Sequence, residues 1–600
     1  MGLEAPSTTE SCDDVRASRR FRLSWRLVLL AVGAALFTFV QFTTYTPHFH
    51  AHLAKHRILR NLQQQPALRL TFQLKRKAMY VHGASTFDVV ATPAPKRSPT
   101  DNSVVYNGVA SFEEDGDTHE YSLVDGTAYY THRPGGGNAT TLSPTVESGC
   151  LPSHFVPPIE TVLSAIRDAK TATHHTSSNT VETTCPRGSL MVFPFAGEDF
   201  LLCSNGSSSS TVPYGAPRFP GLPWLRDDGF KIFGSDMTIE VTYEPSVPVI
   251  PVPRLDPEVV ASCGTVPSAE MISPSVSSLV SRSVSEWGHR ALRAEEAEFS
   301  FSGLIDKLTG NDDSGCACKG KKRVCVFVAG LRSSRDYGLT EDDPTNYFGS
   351  KIPDHSPCCS SIKYITLATQ LNAWNNAKFQ RRLVDLVLQV SDSSDVATGT
   401  IKDTIIVAHS MANLVLGGAI ASGITSLDPS STWVGTSGPM EGSMGSNYLY
   451  ETCDGALTVV VSGLMKLFGG CPPKPGRASL AYQGSNYSNA KLDDDFTAAQ
   501  AAYSTNISAV LCSKNHTGLA TIQAAIYKLA ANVVPHKSPF NDGIVEFQSC
   551  SMGIPDDQFG SSSKSKFYDT SLNHVDAAFR YGDSLFSDNK RPVKWFECLL

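Results

Sequence analysis

Ser410 has the setting that serine chemistry needs. Residues 403–423 read DTIIVAHSMANLVLGGAIASG: an apolar run at 405–407, then Ala408-His409-Ser410-Met411-Ala412, then a helix-like run of small and aliphatic residues. Strand, sharp turn and helix is the order of a nucleophile elbow. The turn pushes the hydroxyl out of the backbone, and the next N–H points into an oxyanion site. The usual pattern is G-x-S-x-G, because neighbouring backbone crowds the turn; here alanine stands at 408 and 412. The bland reading of the same residues is a buried strand end with a capping serine.

The elements around it must bring partners to that turn. Residues 324–328 (VCVFV) read as a buried strand ending in Ala329-Gly330-Leu331, and 362–367 (IKYITL) as another. Residues 379–390 (FQRRLVDLVLQV) have helical spacing, and 431–434 (STWV) form a further strand ending in Gly435-Thr436-Ser437-Gly438-Pro439. Strand and helix signals alternate, which predicts a parallel sheet flanked by helices, with ligand loops at the strand C-termini.

In this order, strand-AGL, strand-AHSMA-helix and strand-GTSGPMEGS resemble the α/β-hydrolase superfamily; Ser437 stands where the G-T-P-x-x-G-S turn of many lipases has proline. Asn541-Asp542-Gly543-Ile544-Val545 and Asn573-His574-Val575-Asp576 are similar to the N-D-G-L-V and N-H-L-D segments of bacterial triacylglycerol lipases. The resemblance covers about residues 320–600. It implies an α/β hydrolase fold, a mostly parallel sheet with flanking helices. It also implies a triad in the order Ser410, Asp542, His574.

Serine is a poor nucleophile until an imidazole takes its proton. His574 would be that base and then the acid, with Asp542 fixing its tautomer. Oxyanion donors are worth about 2.7–4 kcal/mol each, and the resemblance assigns them to the N–H groups of Leu331 and Met411. Competing readings stand beside these. Asp542-Gly543 is also a common turn dipeptide, and His574 is compatible with a surface helix start. Asp494, Asp495, Asp569 and Asp583 compete as the acid. His409 is read as structural, since a side chain adjacent to the serine points the wrong way on this turn. Asp576 matches a calcium-ligand position of the bacterial lipases, but its second aspartate has no counterpart in GLATIQAAIYKLAANVV. Too few oxygen ligands remain for calcium, so no cofactor is expected.

The rest of the 600 residues sets the context. With 41% apolar and 18% charged residues, the chain is too apolar to be disordered, and a net charge of −7 with no large Lys/Arg block gives no reason to expect a nucleic-acid partner. Residues 1–26 are a polar tail with Arg16, Arg19, Arg20, Arg22 and Arg26, and residues 27–45 are uncharged. That length and flank predict an uncleaved signal-anchor helix and a type II single-pass protein. Its bulk would be lumenal or extracellular, on the membrane through 27–45; a cleaved signal peptide is the rival reading. All cysteines but Cys12 follow this segment and form an even set of 14, read as disulfide halves. Five sequons, at Asn138, Asn205, Asn486, Asn506 and Asn515, fit glycosylation.

Residues 46–65, with His48, His50, His52 and His56, read as a stalk. Residues 66–255 alternate in short segments with turn signals such as EDGD and DGT between them. They predict a β-rich sandwich or open barrel with one helix at 159–169. No constellation for chemistry stands out there, and its ligand is not legible. Residues 256–319 read as linker and connector helix, and 320–600 as the hydrolase domain. Cys453 and Cys471 bracket an apolar stretch at 457–468, either core or a tethered lid; Cys550 is expected to pair with Cys512 or another upstream cysteine. The function expected is a serine lipase or esterase acting on carboxylic esters, lipids among them, through acyl-Ser410. An acyltransferase on the same triad and a catalytically inactive cell-surface binding protein are the alternatives.

Overall fold

The computed structural model describes residues 54–62, 64–94, 103–104, 106–135, 146–151, 159–171, 185, 190–195, 198–206, 227–253, 255, 263, 269–270, 316–454, 470–519 and 521–600. Eleven strands form an antiparallel sheet: β1 (Ala67–Leu74), β2 (Thr86–Pro93), β3 (Tyr106–Glu114), β4 (Asp117–Val124), β5 (Thr127–Arg133), β6 (Glu147–Leu151), β7 (Lys170–Thr171), β8 (Leu190–Phe195), β9 (Glu198–Gly206), β10 (Asp227–Phe233) and β11 (Met237–Glu244). Their order is β6-β5-β4-β3-β2-β1-β11-β10-β9-β8-β7. The hairpins β3–β4 and β4–β5 turn on Asp115-Gly116 and Asp125-Gly126, and all four residues have positive φ. Two-residue turns of this hand match the right-handed twist of the strands, and Asp-Gly suits them. Helix α1 (Ile159–Asp168) and the helical residues 54–62 cover the sheet; Ile58, Leu62 and Ile166 pack into one core with Phe72, Phe193 and Phe230.

The C-terminal module contains β12 (Arg323–Val328), β13 (Gly338–Thr340), β14 (Cys359–Thr366), α2 (Ala377–Leu388), β15 (Thr404–His409), α3 (Met411–Ala421), β16 (Thr432–Thr436), α4 (Met444–Cys453), α5 (Ala490–Asn506), β17 (Ile507–Ser513), α6 (Ile522–Val533), β18 (Phe559–Gly560), β19 (Phe567–Thr570) and α7 (Pro592–Leu599). The sheet order is β13-β14-β12-β15-β16-β17-β19-β18. Six neighbouring pairs are parallel, and β13 runs antiparallel to β14 at the edge. Along β15 side chains alternate between faces. Ile406 and Ala408 join a core with Trp374, Leu414 and Phe496, while Ile405 and Val407 join one with Phe327, Leu511 and Trp595. Both faces are buried, so residues 405–408 are apolar without a break.

The expected fold class is corrected. An α/β hydrolase domain behind a β-sandwich or open barrel and a transmembrane helix is not what the structure shows. It pairs a mixed sheet with one large antiparallel sheet. Alternation identifies strands but does not say which edges meet; among the described residues the eleven strands run in one hydrogen-bonded order with β6 and β7 at its two ends. The single-pass, type II placement is corrected with it. Among the described residues no helix is long and apolar enough to cross a membrane. Residues 27–45, on which that placement rested, lie outside the described residues, as do the connector helix and the apolar stretch 457–468.

The two sheets are joined by buried charge. Arg76, just after β1, is fully buried and lies 2.6 Å from Glu597, 3.6 Å from Asp583 and 3.8 Å from Asp236. Arg591 and Lys594 each reach Glu198 at 2.6 Å, and they meet Asp236 at 3.3 and 2.5 Å. His355 receives the Ala78 N–H on Nε2 and gives its Nδ1–H to Glu597. A charge taken out of water persists only when paired; here three carboxylates and three cations from both modules pair one another, with Asp583 beside them.

Seven disulfides join Cys150–Cys263, Cys185–Cys203, Cys316–Cys598, Cys318–Cys358, Cys325–Cys359, Cys453–Cys471 and Cys512–Cys550. Such density is characteristic of chains folded in an oxidising compartment.

Candidate active site

β15 is the fourth strand across the mixed sheet, buried along its whole length, and Ser410 stands at its C-terminal end. Ser410 has φ 57° and ψ −132° and directly precedes α3. Positive φ is uncommon outside glycine and needs surrounding structure to enforce it. Ser410 N–H donates to the Thr436 carbonyl at 2.9 Å. The buried Asn413 amide donates to the carbonyls of Ala408, Ser410 and Thr436 and accepts from the Trp433 indole N–H. Ala408 and Ala412 are accommodated in this turn, both buried.

Gly330 explains the need for small residues on the facing strand end. A Cβ there would lie 2.6 Å from Ser410 Cβ and 2.7 Å from the His409 carbonyl. Ser437 departs from the lipase-like pattern for a reason visible in the backbone. It has φ 46° and donates its N–H to the Leu511 carbonyl at 3.0 Å. Proline, fixed near −65° and without an N–H, could do neither.

The structure brings Ser410, His574 and Asp542 together. His574 Nε2 is 2.9 Å from Ser410 Oγ, and Nδ1 is 2.7 Å from Asp542 Oδ2. The carboxylate can only accept, so Nδ1 carries the proton and Nε2 is free to accept from the serine. Asp542 lies in a tight turn, its N–H donating to Val545 and its Oδ1 accepting from the N–H groups of Ile544 and Val545. The turn and the contact with His574 therefore coincide in one residue. Burial opposes ionisation of Asp542, but the His574 ring and these N–H donors hold its carboxyl below the ordinary value. The competing acids are occupied elsewhere or exposed. Asp495 pairs with Lys491, Asp569 with Lys514, Asp583 accepts the Val593 and Lys594 N–H groups, and Asp494 is exposed.

His409 faces away from the serine hydroxyl. Its Nε2–H donates to the His574 carbonyl at 3.0 Å, so Nδ1 must accept from the Tyr347 hydroxyl at 2.7 Å. Burial, and then the neighbouring His574, push its pKa well down, consistent with a neutral ring. A pocket of about 70 Å³ opens at Ser410 and His574, lined by Leu331, Pro439, Leu480, Tyr527, Ile544 and Val545 among others. Arg477 also lines it, and burial lowers its guanidinium only to about 10, so it stays charged at neutral pH. Leu331 reaches this pocket from the end of β12. Met411 opens α3, where first-turn N–H groups have no intrahelical acceptor. A larger cleft of about 620 Å³, lined by Glu341, Asp342, Asp343 and Tyr364 among others, contains none of Ser410, His574 and Asp542.

Asp576 does not fit calcium. It is buried, its Oδ2 accepts the Leu519 N–H at 2.6 Å, and burial pushes its carboxyl up to about 7. It belongs to no metal-like group of three His, Cys, Asp or Glu among the described residues. Of the sequons, Asn486 and Asn515 are exposed and Asn506 is half-buried, while Asn138 and the Asn205 side chain lie outside the described residues. Sequence reasoning missed Tyr347, Asn413 and Arg477. Tyr347 meets His409 62 residues away, and Asn413 ties the turn to Trp433 and Thr436, 20 and 23 residues on; no local pattern marks such partners. No family model matches this chain, and no curated protein matches it.

Proposed function

We propose that the chain is a serine hydrolase that cleaves carboxylic esters through an acyl-Ser410 intermediate. The observation that carries this reading is the continuous hydrogen-bonded row Ser410–His574–Asp542 at the mouth of a small pocket of mixed polar and apolar lining. As Ser410 Oγ attacks the ester carbonyl, His574 Nε2 takes its proton and then returns it to the leaving alkoxide. Asp542 stays ionised and steadies the imidazolium. The N–H groups of Met411 and Leu331 are the donors for the oxyanion. Water activated by the same imidazole then releases the acid and restores the serine. Leu331, Pro439, Leu480, Ile544 and Val545 give the pocket an apolar side for an acyl group, and a lipid ester is the substrate class this reading carries.

Fluorophosphonate labelling of the full chain, with and without detergent micelles, tests it. Label on the wild type that disappears in Ser410→Ala and His574→Ala is expected. A folded wild type that stays unlabelled in both conditions, or a labelled Ser410→Ala, rejects it. Nitrophenyl esters of increasing chain length then rank the acyl groups.

A further inference from the structure

The hairpins of the antiparallel sheet carry a second group of reactive side chains, far from Ser410 in sequence. His119 on β4 sits directly opposite His132 on β5, and Glu114 at the end of β3 opposite Asp117. His82 lies in a two-residue turn before β2, at φ 48°, and stacks on His119 with ring centroids 3.9 Å apart. His132 stacks on the other side of His119, at 4.8 Å. We propose that His82, Glu114 and His119 form a binding site for a divalent transition-metal ion of the zinc type.

Three observations carry this. First, the candidate ligand atoms of these residues all lie within 4.8 Å of one another. Zinc holds nitrogen and oxygen at about 2.0–2.2 Å in a tetrahedron, which sets ligand atoms roughly 3.3 Å apart. Glu114 Oε2 is 2.7 Å from His82 Nδ1 and 3.8 Å from His119 Nε2, so the observed distances bracket that spacing. The rings stack at 13° with their in-plane lone pairs side by side, so one ring must turn out of the stack to share an ion with the other.

Second, the far side of each ring is already tied. His82 Nε2 meets the Tyr121 hydroxyl at 2.7 Å, and His119 Nδ1 meets the Tyr130 hydroxyl at 2.8 Å. A tyrosine hydroxyl donates or accepts, so these bonds serve either tautomer. They leave His82 Nδ1, which here gives its proton to Glu114, and His119 Nε2 as the ligating atoms. An ion entering there displaces the Nδ1 proton of His82, which moves to Nε2 and is donated to the Tyr121 hydroxyl.

Third, three ligands leave a position open for water or a ligand. Asp117, His119 and His132 form an overlapping group, and Asp117 is 2.8 Å from His132. One lone pair serves one ion. The Tyr130 bond to His119 is common to both groups, and the Tyr121 bond to His82 favours the group containing His82, with His132 and Asp117 beside it.

Zinc titration of the full chain against a chromophoric chelator tests this. The comparison sets wild type beside His119→Ala and His82→Asn, the latter keeping a residue at ease with positive φ. Wild type is expected to take up one more equivalent than either variant, and His132→Ala to retain it. Zinc bound by the sequence-adjacent His48, His50, His52 and His56 is common to all four proteins and cancels in the difference. Equal zinc uptake by wild type and a folded His82→Asn overturns the site, and loss only in His132→Ala overturns its ligand set.

Discussion

His409 holds His574 by the backbone: its Nε2–H reaches the His574 carbonyl at 3.0 Å, beside the serine that His574 is placed to activate. On the proposed reading, the neighbour of the nucleophile positions the base. A misplacement of about 1 Å costs roughly 100-fold in rate. His409→Phe is expected to lower kcat on an ester about 10- to 100-fold with KM little changed. Equal kcat would remove His409 from the positioning role.

Asp542 fixes the His574 tautomer. Asp542→Asn preserves a group that can accept the Ile544 and Val545 N–H bonds but presents the wrong partner to Nδ1. Its kcat is expected to fall by about 10⁴, with the fold intact by circular dichroism. A loss below tenfold would assign the acid role elsewhere.

Gly330→Ala tests the tightness of the elbow. The added methyl would meet Ser410 Cβ at 2.6 Å and the Tyr347 hydroxyl at 2.8 Å. Backbone cannot yield there without moving the nucleophile or the N–H of Leu331. Fluorophosphonate labelling is expected to slow at least tenfold, and labelling at the wild-type rate would show that the strand end can retreat.

Arg76→Met takes from Glu597 and Asp583 their nearest buried guanidinium, while Asp236 keeps Arg591 and Lys594. Breaking one side of a buried pair costs about 3–5 kcal/mol. Urea unfolding is expected to show that loss. A change under 1 kcal/mol would mean that water reaches the interface.

Asp576 and Asp542 respond to pH in opposite senses. Asp542 is held below its ordinary value, so its contribution to stability is present above the unfolded pKa and lost as pH falls through the lower folded one. Asp576 is raised to about 7, so the folded state prefers it protonated, and stability drains away as pH rises from about 4 toward 7. Asp576→Asn removes that loss. Relative to wild type, the variant is expected to gain stability between pH 5 and pH 8 in urea unfolding; a relative loss over that range would contradict the assignment.

What the sequence disclosed follows the range of the interactions involved. The Asp-Gly turns at 115–116 and 125–126 were legible, because positive φ is a local demand met by local residue types. The helix expected over 159–169 runs Ile159–Asp168, and the strand expected over 324–328 runs Arg323–Val328. Ser410 stood out because strand, turn and helix are contiguous around it. Asp542 and His574 came only through resemblance, since no periodicity links them to Ser410. The His82, His119 and His132 stack was invisible, because cross-strand register decides it. So was the charge cluster around Arg76, whose partner Glu597 lies at the other end of the chain. The sandwich or barrel expectation failed for the same reason: alternation marks strands but not their edges.

The Cys316–Cys598 bond spans 282 residues and encloses the entire mixed sheet, with Lys319 clamped to the carbonyls of Cys598 and Leu600. Mechanically, the C-terminal module is a closed hoop. Tension applied between its ends runs through one covalent bridge and bypasses the sheet. A single backbone cut inside the hoop opens it without releasing a fragment. The module can therefore be nicked and pulled while its two chain ends stay together.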